Sequence, residues 1–185
     1  MIPVAVLDAN VLFPMILRDT LLRVAAAGCF RAHWSSRILD EMARNLIEQH
    51  RVTSEQAKQL AAQMAKAFPE AAVEGWEDLE GAMPNDPKDR HVAAAAATIG
   101  AAVVVTENLK DFMHLPMGMQ AATPDAFLVE RFQKMPKEVL SALRKQANSY
   151  RKPPATIDDL LNWLASDLPT FVDAVRMVIA KRGTT

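Results

Sequence analysis

Apolar positions along the chain come in two patterns. Short continuous runs stand at Ile2-Pro-Val-Ala-Val-Leu7, at Phe30-Arg-Ala-His-Trp34 and at Ala102-Val-Val-Val-Thr106. These read as strands. The last is β-branched and does not alternate, as expected for a strand buried on both faces of a parallel sheet. Ala72-Val73 reads as a further short strand before Trp76. Between these runs the apolar spacing is helical, as at Ile38, Leu39, Met42, Leu46 and Ile47. Asp19-Thr20 is a candidate N-cap for a helix over 21–27, stopped by Gly28. Ser35 or Ser36 caps a helix from Arg37 to about Gln49. Thr53-Ser-Glu-Gln56 has the capping-box pattern and opens a helix to about Phe68, ended by Pro69. An alanine-rich helix follows from about Lys88 to Ile99 and stops at Gly100.

Alternating strands and helices through about residue 120 predict an α/β fold, a three-layer α/β/α sandwich around a central parallel sheet with right-handed crossovers. From Thr123 onward the pattern is only helical. Breaks at Pro136, Pro153-Pro154 and Pro169 predict helices at about 125–134, 137–150, 156–166 and 169–181. The expected organisation is therefore one α/β domain over 1–125 and an all-helical extension over 126–185.

In an open α/β sheet, ligands bind beyond the carboxyl ends of the strands. Here Asp8 follows the first strand, and Asn108 and Asp111 follow the last. Glu41 lies early in the second helix, and Asp86 and Asp89 lie at the start of the alanine-rich helix. Carboxylates gathered in one cleft stay ionised together only if a cation neutralises them. An all-oxygen donor set without a His or Cys cluster selects a hard ion, so Mg²⁺ or Mn²⁺ is expected rather than zinc. Asn10 and Thr106 are candidates to hydrogen-bond the ligand carboxylates. Each acid also has a plainer reading, Asp8 as a turn residue, Asp89 as an N-cap, Glu41 as a surface acid and Asp86 as a cap. Arg18 and Arg90 are candidate phosphate contacts, or partners of nearby acids. His91 is expected to pack or to touch phosphate rather than to act in catalysis, and adjacent Asp40 to face solvent. Trp34, Trp76 and Trp163 are expected in a core or an interface.

Four blocks carry a resemblance. Val6-Leu-Asp-Ala-Asn-Val11, Ile38-Leu-Asp-Glu41, Asp86-Pro-Lys-Asp-Arg-His-Val-Ala-Ala-Ala95 and Val105-Thr-Glu-Asn-Leu-Lys-Asp-Phe112 resemble, in order and spacing, the motifs of PIN-domain ribonucleases, a group that includes VapC-type toxins. The resemblance covers about residues 1–125. It implies a PIN-like fold and Mg²⁺- or Mn²⁺-dependent cleavage of RNA phosphodiesters, with Asp8, Glu41 and Asp89 as the motif acids. Many members place an Asp where this chain has Asn108. An amide oxygen there still meets a metal but adds no charge, and Asp111 is the alternative fourth ligand. For a toxin, the implied partners are an RNA substrate and a cognate antitoxin protein that reaches into the acidic cleft. Homodimerisation is common in the family, and some relatives carry a helical extension like this one. Two rival readings stand beside it. One is a non-catalytic PIN-like module, binding RNA or protein through a degraded metal site. The other is a haloacid-dehalogenase-like phosphatase, which would place a second Asp where Asn10 stands.

Composition narrows the setting. Of 185 residues, 50% are hydrophobic and the net charge is -1, as in an ordinary globular chain with a real core. Residues 1–125 hold 11 Lys/Arg against 16 Asp/Glu, and 126–185 hold 10 against 6. An acidic body with a basic tail suits metal in the first part and phosphate in the second, unless the tail cations are simply solvated. Cys29 is the single cysteine, in an apolar run, and reads as a buried thiol in a reducing compartment. No apolar stretch reaches the roughly 18 residues of a membrane span. Met1 to Leu7 lacks the basic start of a secretory leader. A cytoplasmic location is expected.

Overall fold

A computed structural model of the chain describes residues 2–183; Met1 and residues 184–185, at the ends of the two expected domains, lie outside that range. Five strands form one parallel sheet: β1 (Val4–Leu7), β2 (Arg31–Ser35), β3 (Ala72–Val73), β4 (Val103–Val105) and β5 (Gln120–Ala122), in the order β3-β2-β1-β4-β5. The fold is an α/β sandwich with a further, all-helical C-terminal part. All three valines of β4 are buried, as are Ala5, Val6 and Leu7 of β1. The expected burial of these runs on both faces follows. β1 starts two residues late because Pro3 has no N–H for the ladder; its carbonyl still accepts from Arg31 N at 2.9 Å.

The order of strands reverses direction between β1 and β4. Chain growth runs from β1 to β2 to β3 on one side, then crosses to β4 and β5 on the other. That is a topological switch point, where parallel sheets leave a crevice at the carboxyl ends of the two flanking strands. The register pairs Leu7 with Val105, so Asp8 and Thr106 emerge side by side at that crevice.

The chain divides into two compact units. The first takes Pro3–Pro14 and Arg31–Ala122. It holds the sheet and the helices α1 (Ala9–Leu12), α3 (Ser36–Glu48), α4 (Ser54–Ala67), α5 (Glu77–Glu80) and α6 (Arg90–Thr98). Ser35 caps α3, and Thr53 and Gln56 form the predicted capping box on α4. The small alanines of α6 let it lie across β1, β2 and β4. Gly100 follows α6 with φ +61°, a conformation that favours glycine.

The second unit takes Met15–Phe30 and the chain from Thr123 onward. The expected division at residue 125 kept 15–30 with the α/β domain; the packing groups them with the C-terminal helices instead. Its helices are α2 (Met15–Ala26), α7 (Pro124–Lys134), α8 (Pro136–Ser149), α9 (Ile157–Leu164) and α10 (Pro169–Gly183). α2 packs on α8 and α9, and α10 packs on α7. Pro124, Pro136 and Pro169 open helices rather than merely ending them, because a first-turn proline gives up an N–H that has no helical partner. Asp19-Thr20 is not an N-cap. α2 begins at Met15, Asp19 pairs with Arg23 one turn on at 2.8 Å, and Thr20 Oγ1 donates either to the Ile16 carbonyl or to Gln146 Oε1, each at 2.9 Å. Asp125 caps α10, accepting from Thr170 N at 3.2 Å and Phe171 N at 2.7 Å. Lys137, Arg144, Lys145, Arg151 and Lys152 are exposed, whereas Arg131 is buried beside Glu130 at 2.5 Å. Cys29 is fully buried, and burial pushes its thiol up, as suits a packing role. Among the described residues, no helix is long and apolar enough to cross a membrane.

Candidate active site

Asp8 is the anchor of the site. It follows β1, caps α1 and is 4% exposed. Its Oδ1 accepts from Ala9 N at 2.6 Å. Its Oδ2 accepts from Asn10 Nδ2 and from Thr106 Oγ1, both at 2.7 Å. Thr106 Oγ1 in turn accepts from Asn10 Nδ2 at 2.9 Å and from Asn108 N at 3.1 Å. Asn10 Oδ1 accepts from Glu107 N at 3.1 Å. The supporting roles expected of Asn10 and Thr106 are thus geometric facts. Burial pushes the Asp8 carboxyl up to about 6, with the negative charge of Glu41 adding to the rise; the hydrogen bonds from Thr106, Ala9 and Asn10 hold it from going higher.

Asp89 sits at the N-cap of α6 but makes no capping hydrogen bond with its side chain. The plainer reading of this acid as a helix cap therefore does not describe it. Its Oδ2 is buried without a hydrogen-bond partner. Burial, then the charges of Asp8 and Asp111, push its carboxyl up to about 6, while Lys88 pulls the other way. Asp86 makes the tight turn before it, with Oδ1 accepting from Lys88 N at 3.1 Å, and Asp89 N donates to the Asp86 carbonyl at 3.0 Å.

Asn108 and Asp111 face each other across a 3-10 turn over Leu109–Phe112, Asn108 Nδ2 donating to Asp111 Oδ2. Lys88 Nζ lies 3.5 Å from the same Asp111 oxygen, and the charges of Asp111, Asp86 and Asp89 hold its ammonium more firmly protonated than usual. Glu41 Oε2 lies 3.3 Å from His91 Nε2. His91 is buried edge-on to Trp76, with ring centroids 6.2 Å apart, so its packing role is realised. Burial, with the nearby Arg37 charge, pulls its imidazole down to about 4. Asp40 is exposed, Trp34 and Trp76 are buried, and Trp163 is 40% exposed against Tyr150. Arg90 is half-buried and donates from Nε to the Asn85 carbonyl at 3.3 Å, bracing the loop before α6. Arg18 lies in the second unit, on α2, and is 9% exposed.

Sequence reasoning missed two residues and one contact of this region. Lys88 was visible as a lone cation between two acids in Asp86-Pro-Lys-Asp89. Asn85, 4% exposed with both side-chain amide atoms unpartnered, and the Glu41–His91 contact had no signal along the chain.

A divalent cation fits part of this arrangement. One buried and one half-buried carboxylate, each raised by desolvation and then by neighbouring negative charge, and one orphaned carboxylate oxygen are what a hard cation would relieve. Among the described residues, however, no three His, Cys, Asp or Glu side chains come close enough together to cage an ion. Asp111 is turned to Asn108 and Lys88. The fit is to an ion held by one or two carboxylates and otherwise by water and phosphate, the usual manner for Mg²⁺.

Comparison with known proteins agrees with the architecture. Residues 4–110 match the PIN domain model, and residues 124–177 match the model of the VapC50 C-terminal domain. The chain is 36% identical over 105 residues to the Mycobacterium tuberculosis protein named "Putative ribonuclease VapC50"; the aligned part is 55% of this chain and 62% of that protein, under two thirds of its length. No solved structure matches. The chain belongs to the PIN-domain family and carries, after its PIN domain, a segment of the VapC50 C-terminal type.

Proposed function

We propose that the chain is a Mg²⁺- or Mn²⁺-dependent ribonuclease that hydrolyses RNA phosphodiester bonds, with Asp8, Glu41 and Asp89 as its working acids. The observation that carries this reading is the orphaned, buried Oδ2 of Asp89 in electrostatic contact with Asp8. A bound divalent ion would supply the charge that lets both acids ionise and would polarise phosphate and water. The rest is done by the chain. Thr106, Asn10 and Ala9 N–H fix Asp8 in one orientation, so a phosphate approaching the crevice meets a preset carboxylate. Asp89 offers its free oxygen to the same charge centre. Asn108 presents an amide where an acid is common and Asp111 provides charge close by. Lys88, just before α6, and Arg90, its first residue, would serve as cations for the phosphate; Arg18, on α2 of the second unit, is a separate candidate for contact with RNA phosphate. The helical part, with its exposed cations, would position RNA.

The name carried by the relative, with the PIN domain, supports the ribonuclease reading. In the fuller form of this proposal the chain is the toxin of a toxin–antitoxin pair acting in the cytoplasm. The partner would then be an antitoxin whose chain enters the acidic crevice. Co-expression with the product of a small adjacent reading frame should give a stable, inactive complex. A homodimer is the further assembly the family suggests. The functional division would be a PIN-like nuclease domain over 1–125 and an extension over 126–185, with residues 15–30 packing on the extension.

The second reading is a PIN-like binding module without catalysis. It is favoured by Asn108 and by the absence, among the described residues, of a converged three-acid cluster. Total RNA incubated with the purified chain separates the two. Cleavage in Mn²⁺ that stops on adding EDTA supports the nuclease. RNA retained intact but bound supports the module.

A further inference from the structure

We infer that His91 is a positioning residue that holds Glu41 in its working orientation through the imidazole Nε2–H. The inference rests on the nuclease reading of Asp8, Glu41 and Asp89 given above. Glu41 needs such a device. Its side chain has three rotatable torsions, is 37% exposed and projects from a helix, so nothing in its own backbone fixes the carboxylate.

His91, by contrast, is fixed by burial and packing. It is 1% exposed and packs edge-on against Trp76. Trp76 is itself 5% exposed and lies under the Arg37 guanidinium, 5.8 Å from the ring centre. Arg37 is held by Glu80 at 2.7 Å. Arg37 stands four residues before Glu41 on α3, so this stack returns to the helix that carries the acid. Between its ends, His91 Nε2 reaches Glu41 Oε2 at 3.3 Å. The other ring nitrogen, Nδ1, is buried without a partner, so the proton belongs on Nε2, where an acceptor stands.

The position of His91 gives the contact its purpose. It is the second residue of α6, and Asp89 is the N-cap of the same helix. One helix start therefore presents one acid and braces another that arrives from α3. A histidine N–H orients a carboxylate without consuming its second oxygen, which stays available to a cation.

The test uses the full chain and two substitutions of similar size. Glutamine places its amide nitrogen close to where Nε2 stands; asparagine is one methylene too short. Mn²⁺ binding is read by electron paramagnetic resonance, and RNA cleavage is measured beside it. His91→Gln should stay within about threefold of wild type in both, whereas His91→Asn should lose about tenfold in Mn²⁺ affinity and in kcat with KM for RNA unchanged. Adding His91→Asn to Glu41→Ala should cause no further loss, because the group it positions is gone. Equal losses in the two His91 variants that follow their melting temperatures, or a full further loss in the double variant, would overturn the inference. Asp8→Asn in the same assays separates the levels. If it abolishes cleavage while His91→Asn matches wild type, the His91 role alone fails; if Asp8→Asn too is without effect, the nuclease reading fails with it.

Discussion

Thr106 Oγ1 donates to Asp8 Oδ2 at 2.7 Å, so the carboxyl ends of β1 and β4 are joined through the acid on which the site is built. The two residues stand one step past the paired Leu7 and Val105, on either side of the switch point in the sheet. A feature of topology thereby becomes a feature of chemistry. The strand order brings the two side chains together, and the hydroxyl then keeps the Asp8 carboxyl from rising further.

Thr106→Val removes that hydroxyl at nearly constant volume. The Asp8 carboxyl should rise above its value of about 6, and Asn108 N loses its acceptor. We expect about 1 kcal/mol of lost stability and about tenfold weaker Mn²⁺ binding at neutral pH. Thr106→Ser, which keeps the hydroxyl, should retain the affinity. Thermal melts and Mn²⁺ titrations of the two variants check this.

Asp89→Asn should change how stability depends on pH. The folded carboxyl is pushed up to about 6 from an ordinary 3.8, so between these values the folded state binds the proton more tightly than the unfolded one. The resulting stability is present below about pH 4 and lost as pH rises through 6. In EDTA at pH 8, the variant should therefore be more stable than wild type by on the order of 1 kcal/mol, or roughly 3 °C in Tm. At pH 4 that difference should vanish, and in Mn²⁺ at pH 8 wild type should regain it. Melting curves across this range are the check.

Asn108→Asp restores the acid common in the family but removes the amide that donates to Asp111. Two carboxylates then face each other across one turn. Without metal the variant should melt lower than wild type, by roughly 1 kcal/mol in stability. Mn²⁺ should raise its Tm more than it raises that of wild type. A smaller rise would argue that this position does not face the cation.

Gln146→Ala tests the helical unit. Gln146 is fully buried, accepts from Thr20 Oγ1 at 2.9 Å and donates to the Ile16 carbonyl at 3.2 Å, tying α8 to α2. Losing both bonds and leaving a cavity should cost about 2–3 kcal/mol in denaturant unfolding. A change below about 0.5 kcal/mol would mean that these bonds are not what holds α2 to the C-terminal helices.

The strands legible in the sequence are those with a buried, apolar or β-branched run, β1, β2 and β4, together with the short Ala72-Val73 of β3. β5, Gln120-Ala-Ala122, escaped because it is short, carries no β-branched residue and is an edge strand paired only with β4. The sequence puts the start of α2 at Leu21 because Asp19-Thr20 is a good cap locally, but Leu17 and Arg18 are already buried in the helix there, and tertiary packing overrides the local preference. Asp8, Asn10 and Thr106 were legible as a set because strand register alone brings them together. The bracing of Glu41 by His91 was not, since it depends on where α6 lands against α3, which no spacing along the chain encodes.

The most direct measurement is cleavage of total RNA in Mn²⁺ by wild type and Asp8→Asn, with melting curves showing that both are folded. The account predicts metal-dependent, EDTA-sensitive cuts by wild type and their loss in Asp8→Asn, by at least about a hundredfold in rate. Equal cleavage by the two folded proteins, or no cleavage by wild type in Mn²⁺ or Mg²⁺, would contradict it.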